Sequence, residues 1–196
     1  MARNPVHVRD ALPQDAAVLV GMWRQNTETS SRLAAPRVDA AQRAIGHLAL
    51  DPDQRLVVAE VHDEVVGVAH LVRAPWSPIH EETTVRVSHL FVDAAHRRRG
   101  VGRALLAAAT TWADEKQIGH LTINVSASAR DANRFLARLG IASIATVRAV
   151  RVSALKERLA MFEAADAADG HVMVERIRTL RRRQASARAG RRLPVD

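Results

Sequence analysis

The hydrophobic positions of the first 153 residues change spacing several times, and each change predicts a new element. Runs rich in β-branched residues predict five strands, over Val6–Arg9, Leu56–Val61, Val65–Val72, Thr83–Val92 and His120–Ser126. Apolar residues at helical spacing predict four helices, over a segment opened by Pro13, over Asp39–Leu50, over Gly102–Gln117 and over a segment closed by Gly140. Ile141–Ser153 predicts one or two further strands. The element order β-α-α-β-β-β-α-β-α-β(-β) therefore predicts an α/β domain over residues 1–153.

The fourth helix has specific signals at both ends. Ser128-x-x-Asp131 has the form of a capping box, which places the start of the helix at Ser128. Gly140 follows the last apolar residue of the stripe and predicts the end of the helix.

The pattern changes again past Ser153. Leu155, Leu159 and Phe162 form one helical stripe, and a second stripe is interleaved with arginines. Residues 154–196 are therefore predicted to be a helical, arginine-rich extension, with frayed residues near its end.

The net charge of +8 is concentrated in the last 22 residues of this extension. From Glu175 to Asp196 there are eight arginines and two acids, a net charge of +6, so the other 174 residues carry only about +2. Three interpretations of the tail are open: a helix face that docks on the body or on a second copy to form a homodimer, a contact with a polyanion such as RNA or DNA, and a lid over a bound anion.

The composition narrows the classes of site. The chain has no cysteine, which excludes thiol nucleophiles, disulfides and cysteine zinc sites. Its nine histidines lack the spacing of metal ligands, so no metal is predicted. No apolar run approaches the roughly 20 residues of a membrane span, and the N-terminus has no signal-peptide pattern. We expect a soluble, cytoplasmic protein without a membrane partner.

The most informative segment is the passage from the Thr83–Val92 strand into the helix that follows. A turn rich in arginine and glycine leaves unpaired backbone N–H groups at a helix N-terminus, where the helix dipole is positive. Such a turn predicts a phosphate or pyrophosphate site. Its glycines, Gly100 and Gly102, allow a ligand to approach the backbone, and four arginines surround them, namely Arg97, Arg98, Arg99 and Arg103.

The order Arg97-x-x-Gly100-x-Gly102, preceded by Leu90-x-Val92, resembles the acetyl-CoA-binding motif of the GNAT N-acetyltransferase superfamily. It differs from a dinucleotide fingerprint and from a Walker loop. The resemblance implies a GNAT-like fold, with a mixed, mostly antiparallel central sheet flanked by helices and splayed at two of its strands. It also implies direct transfer of an acetyl group from acetyl-CoA to an amine in a ternary complex.

The resemblance also implies binding residues. The pantetheine arm of acetyl-CoA would pair with the strand backbone at Leu90, Phe91 and Val92, and the turn from Arg97 to Arg103, including Val101, would hold the pyrophosphate. The later helix would contribute Asn133 and Phe135. From the sequence, Phe135 is equally interpretable as a core residue and Asn133 as an exposed helix residue.

The catalytic positions depart from the family pattern. Leu136 stands where many relatives have the tyrosine that protonates the CoA thiolate, and the chain contains no tyrosine. Ser88 stands where a glutamate base is common. The nearest ionisable group is His89, whose imidazole suits general base chemistry near neutral pH. Two alternatives are open: His89 as the base, and an ordered water relaying protons from Ser88 or from backbone carbonyls.

The sequence thus predicts an N-acetyltransferase acting on a primary amine, either a small molecule or a protein N-terminus. One alternative is a catalytically weak CoA-binding module with a regulatory role. Another is a GNAT protein associated with nucleic acid or the ribosome through its tail.

Overall fold

Five strands form one sheet, ordered as they occur in the chain. The computed structural model describes residues 5–25, 35–79, 81–145 and 152–162. The strands are β1 (His7–Asp10), β2 (Gln54–Val61), β3 (Glu64–Pro75), β4 (Thr83–Val92) and β5 (Leu121–Ile123). The first four are antiparallel neighbours, and β5 runs parallel to β4. The predicted mixed, mostly antiparallel α/β sheet is confirmed.

Helices cover both faces of this sheet. They are α1 (Ala16–Gln25), α2 (Val38–Leu48), α3 (Val101–Glu115) and α4 (Arg130–Arg138), with short 3-10 turns at Pro13–Asp15 and Ala94–His96. On one face, α3 buries the stripe Leu105, Ala109 and Trp112 against the valines of the central strands. On the other face, Met22 of α1 and Ile45 of α2 pack on Val58 and Val68.

The start of α4 differs from its prediction. The residue before its first turn is Ala129, without a side-chain cap, so the capping box over Ser128 and Asp131 is wrong. The Ser128 hydroxyl instead pairs with that of Ser126 at 2.7 Å, and Arg134 donates to the Asp131 carboxylate at 2.6 Å. The two side chains therefore pair with neighbouring side chains and form no capping box on α4.

The end of α4 follows the prediction. Gly140 has a φ of 78°, in the left-handed region that glycine adopts readily. Its N–H donates to Ala137 O at 3.0 Å, and the N–H of Ile141 donates to Leu136 O at 3.1 Å. This pair of bonds is a Schellman motif, and Ile141 packs against the core beside it.

The predicted strand over Ile141–Ser153 is wrong where the structure describes it. Residues 141–145 form no strand, and residues 152 and 153 begin a helix that runs to residue 162. Because the N–H of Ile141 closes the Schellman motif, it is not free to join a sheet. Residues 146–151 lie outside the described residues.

The chain separates into two compact units, residues 1–142 and 143–196. In the second unit, the helix over residues 152–162 contains Leu155, Leu159 and Phe162, all exposed. The second stripe and the arginine-rich tail lie outside the described residues, and the predicted boundary at Ser153 stays a prediction. In the described part of the chain, no helix is long and apolar enough to cross a membrane.

Candidate active site

The parallel strands β4 and β5 diverge at the middle of β4. Their pairing runs from Val85 opposite Leu121 to Val87 opposite Ile123, and the N–H of Asn124 then donates to Val87 O at 2.8 Å. The paired residues end there, and within the part of the chain that the structure describes no strand pairs with β4 on this side beyond Val87, so that edge is open. This is the splay that the family resemblance implied.

A β-bulge sits at the start of the open edge. Ser88 lies opposite His70 and Phe91 opposite Val68, so both His89 and Leu90 face the single residue Ala69. His89 takes a left-handed φ of 51°, which is uncommon for a residue with a side chain.

The bulge shifts the alternation of β4 by one residue. Val85 and Val87 point into the core beneath α3, and beyond the bulge Leu90 and Val92 do so. Backbone groups alternate together with side chains along a strand. Since the backbone of Val85 and Val87 faces β5, that of Leu90 and Val92 faces the open edge.

The open edge leads directly into the predicted anion turn. The Asp93 carboxylate accepts from Ala95 N at 2.9 Å and contacts His96 Nδ1 at 3.2 Å. The His96 imidazole holds the pKa of the Asp93 carboxyl below its usual value. Arg98 and Gly100 then take left-handed φ values of 62° and 95°.

These left-handed residues bring the chain to the N-terminus of α3. Gly100 is the N-cap of the helix, and a Cβ placed on it would meet no atom within 4 Å. The first intrahelical bond is donated by Ala104 to Gly100 O. The preceding N–H groups therefore have no partner within the helix, and they belong to Val101, Gly102 and Arg103.

The four arginines of the turn are all exposed. Arg97 Nε donates to Val92 O at 3.3 Å, which ties it to the end of the open strand edge. Arg99 and Arg103 flank a cavity of about 290 Å³, which is also lined by Pro5, Val6, Gly100, Ala104 and Ala107. Positive charge and the helix dipole thus coincide at one place.

In the structure, Gly102 lies beside Phe135, Phe135 packs in the core, and Asn133 is held by hydrogen bonds. A Cβ on Gly102 would lie 3.6 Å from Phe135 Cε1 and 3.9 Å from Val92 Cγ2, both ordinary contact distances. Phe135 packs against the main core. Asn133 Nδ2 donates to Ser126 O at 2.9 Å and to Ala129 O at 3.0 Å, which fastens α4 to the chain leaving β5.

A polar cluster lies on the other face of the sheet, beneath α1. Ser88 Oγ is 3.3 Å from His70 Nδ1, and His70 Nε2 is 3.0 Å from Gln54 Oε1. Gln54 Nε2 in turn donates to Asp51 Oδ2 at 2.6 Å. Three neighbouring strands and the turn before β2 therefore contribute to one chain of hydrogen bonds.

His89 joins this cluster through ring contacts. Its ring centroid is 5.1 Å from that of Trp23 on α1 and 6.2 Å from that of His70, with the two imidazoles nearly parallel. Partial burial lowers the pKa of both histidines below 6.5. At neutral pH both rings are therefore uncharged. The Trp23 indole N–H is buried without a hydrogen-bond partner among the described residues.

The comparisons with known proteins agree with this geometry. A family model described as the Acetyltransferase (GNAT) family matches residues 20–141. The chain belongs to the GNAT family. A search of curated proteins gave no significant match.

Solved structures share the GNAT fold at low sequence identity. A transcriptional regulator from Bacillus halodurans C-125 is 21% identical, with a TM-score of 0.67 over 75% of this chain and 99% of its own. A ribosomal-protein-alanine N-acetyltransferase from Brucella melitensis biovar Abortus 2308 is 19% identical, with a TM-score of 0.57 over 75% and 99%. The aminoglycoside N-acetyltransferase AAC(6')-Iy, in complex with CoA, is 17% identical, with a TM-score of 0.61 over 75% and 94%.

Sequence reasoning missed four residues that surround Ser88 and His89 in this GNAT domain, namely Asp51, Gln54, His70 and Trp23. A signal was present, because Gln54 and His70 are polar residues on the same face of β2 and β3 as the buried Val58 and Val68. Their meeting depends on strand register, which the sequence does not specify.

Among the described residues, no cluster of three or more His, Asp or Glu side chains could hold a metal ion.

Proposed function

We propose that this GNAT protein transfers an acetyl group from acetyl-CoA directly to a primary amine, with both substrates bound together. The supporting observation is the continuity between the open edge of β4 and the arginine-rich N-terminus of α3. An extended chain carrying amides and ending in a pyrophosphate needs both features, a free strand edge and an anion site, in this order.

In this proposal the open edge binds the pantetheine arm. The backbone groups of Leu90 and Val92 face the edge and would pair with its amides, while Phe91 lies between them. The N–H groups of Val101, Gly102 and Arg103 would hold the pyrophosphate, with Arg97, Arg98 and Arg99 adding charge. Asn133 and Phe135 would act by fixing α4 beside the turn, because both side chains are engaged in packing or hydrogen bonds.

The chemistry would take place where the splay begins. The strand N–H of Leu90, which faces the open edge two residues from Ser88, is suited to polarise the acetyl carbonyl, as preorganised backbone donors do in acyl transfer. The neutral amine then attacks, the C–N bond forms and the C–S bond breaks. A thiol has a pKa of about 8.5, so CoA leaves as a thiolate without a strong need for an acid. The acceptor's proton would pass to the cluster formed by Ser88, His89 and their neighbours.

The acceptor is proposed as a chemical class, a primary amine. Similar folds occur in an aminoglycoside acetyltransferase and in a ribosomal-protein-alanine acetyltransferase. At these identities the likeness concerns the fold alone. A small amine and a protein N-terminus are therefore both tested below.

A second function is favoured by the environment of Leu136. This residue, which occupies the usual tyrosine position, is 5% exposed and packs in the main core. No side chain there can donate a proton. A protein that binds CoA and turns over slowly, acting as a regulatory module, would fit this observation.

The experiment that tests the proposal measures CoA release from acetyl-CoA with kanamycin, tyramine and a peptide with N-terminal alanine. Titration calorimetry with CoA is run in parallel. Turnover with any of these amines above the rate of acetyl-CoA hydrolysis supports the transferase. CoA binding without turnover supports the regulatory module, and absence of CoA binding contradicts both.

A further inference from the structure

The hydrogen bonds around His70 determine which of its ring nitrogens carries the proton. The pKa of the Asp51 carboxyl is lowered because Asp53 N–H and the Gln54 amide donate to it. An ionised carboxylate only accepts, so the Gln54 group that faces it is the NH₂, and Gln54 Oε1 faces His70. A carbonyl oxygen also only accepts. His70 Nε2 is therefore the protonated nitrogen, and Nδ1 has a free lone pair toward Ser88.

This assignment gives Ser88 a base behind it. Its hydroxyl lies 3.3 Å from His70 Nδ1 and 3.5 Å from the His70 carbonyl oxygen, so its one proton can be donated to the imidazole at the shorter contact. Its own lone pairs stay available for another donor. A hydroxyl, an imidazole oriented toward it and a third group fixing that imidazole form the arrangement by which enzymes move a proton through a hydroxyl.

We propose that Ser88 and His70 form the proton relay that deprotonates the acceptor amine, with Gln54 fixing the tautomer of His70. The proposal rests on the proposed function. Ser88 would contact the amine, whereas His70 and Gln54 act through Ser88 and are positioning residues. Ser88, the relay residue that would contact the amine, lies on β4 where the strand edge opens, one residue before the bulge.

His89 is less suited to this role although it is closer in sequence to the binding edge. Its contacts in the described structure are ring contacts with Trp23 and His70, and no hydrogen bond orients its imidazole. The titratable groups facing His70 are His89 from β4 and, behind Gln54, Asp51 from the turn before β2. The element above, α1, contributes the non-titratable Trp23.

The proton balance of the relay is complete. The ammonium gives a proton to Ser88 Oγ while the Ser88 hydroxyl proton moves to His70 Nδ1, which leaves a free amine and an imidazolium. The amine attacks the acetyl carbon, the C–S bond breaks, and the amide nitrogen loses its second proton. One of the two protons ends on the CoA thiol and the other in solvent, and His70 returns to its neutral form.

The first test uses the full chain without substrates, so that it does not depend on the proposed function. Nitrogen-15 NMR of the histidines is recorded for the parent and for Gln54→Glu, with the exposed His47 on α2 as the internal reference. We expect His70 as the Nε2–H tautomer in the parent, and a higher midpoint for its titration in Gln54→Glu because a carboxylate then faces the imidazole. An Nδ1–H tautomer, or a midpoint that does not move, overturns the relay.

The second test measures kcat/KM against pH with the amine that gives most turnover. We expect Ser88→Ala and His70→Ala each to lower kcat/KM about 10²-fold, the low end for general base catalysis. The double variant should lose no more than either single one, because the two residues act as one unit. In Gln54→Glu the acidic limb of the profile should move to higher pH, and His47→Ala is the matched control.

The outcomes separate the relay from the proposed function. Absence of turnover with every amine contradicts the transferase, and the NMR result alone then judges the His70 geometry. Turnover in which His89→Ala removes the acidic limb while His70→Ala keeps it assigns the base to His89 and overturns the relay. Additive losses in the double variant also overturn it.

Discussion

Gly100 is the residue on which the proposed acetyl-CoA site most depends. Its φ of 95° and the empty space above its Cα both suit a backbone that an anion approaches closely. We expect Gly100→Val to abolish measurable CoA binding, because a branched side chain would occupy that space. Gly100→Asn should also weaken CoA binding strongly while tolerating the left-handed backbone, which separates exclusion of the ligand from strain. Titration calorimetry on variants with parent-like circular dichroism measures the effect.

Gly119, which lies on the loop before β5 and outside the proposed site, supplies the matched control for this prediction. A Cβ at Gly119 would meet no atom within 4 Å, so Gly119→Ala should keep CoA affinity near that of the parent. Arg97→Ala should lie between the two, with a loss of about 1–3 kcal/mol for one charge-assisted hydrogen bond. Unchanged affinity in a folded Gly100→Val protein would remove the turn from the binding site.

The paired histidines predict how stability depends on pH. Burial lowers the pKa of His70 and His89 below 6.5 in the folded protein. The unfolded chain therefore binds more protons between the folded values and 6.5, and the free energy of unfolding falls as the pH drops through this window. We expect His89→Asn to flatten this slope, since asparagine tolerates the left-handed φ of the bulge. Urea unfolding at several pH values measures it, with His47→Asn as the control, and an unchanged slope would contradict the assignment.

Among the elements, β1 is joined to its neighbours by an ion pair network centred on Arg9, in addition to its backbone pairing with β2. The Arg9 guanidinium binds both oxygens of Asp15 at 2.7 and 3.0 Å and donates to Glu60 at 2.8 Å. Asp15 also accepts from Leu12 N at 2.7 Å. The network therefore joins β1, the turn before α1, and β2. The Arg9 guanidinium keeps the pKa of the Asp15 carboxyl below its usual value.

This network predicts a cost for removing one partner. The Asp15 side chain is only 11% exposed, and its loss removes two acceptor oxygens from Arg9 and leaves Leu12 N without its acceptor. We expect Asp15→Ala to lower the free energy of unfolding by about 2 kcal/mol. Asp39→Ala on α2 is the control, since its arginine partners are exposed and solvent screens the pair, so its loss should lower the free energy of unfolding clearly less. Equal losses in the two variants, measured by urea unfolding, would show that the network adds nothing beyond an exposed pair.

Elements whose signal lies in their own residues were predictable. The bounds of β4 and the end of α4 at Gly140 follow from local patterns. The start of α4 did not follow its pattern, because a serine in the preceding turn engaged the expected cap. The bulge at His89 and the meeting of Gln54, His70 and Ser88 depend on which strands pair and in what register. That information is absent from a single strand's pattern.

At the scale of the whole molecule, we expect the extension that follows the GNAT domain to be dispensable for folding and for CoA binding. The family model ends at residue 141, and the Schellman motif and Ile141 complete the core near the same point. We therefore expect a chain ending at Ser153 to fold and to bind CoA as the parent does. A chain ending at Arg138 is the control, and losing Ile141 and the cap should lower its free energy of unfolding by about 2 kcal/mol.

The same truncation tests the three interpretations of the tail. Removing residues 154–196 removes half of the net charge of +8, including the eight arginines between residues 175 and 196, so retention on heparin and on RNA should fall and should become less sensitive to salt. Light scattering on the same samples reports whether a second copy is lost, which would support a docking face. A CoA affinity lower in the shortened chain than in the full chain would support the lid, because it would mean that the tail arginines contribute to binding the CoA phosphates. If retention on heparin and RNA, the number of chains per particle and CoA affinity are all unchanged, all three roles of the extension are contradicted.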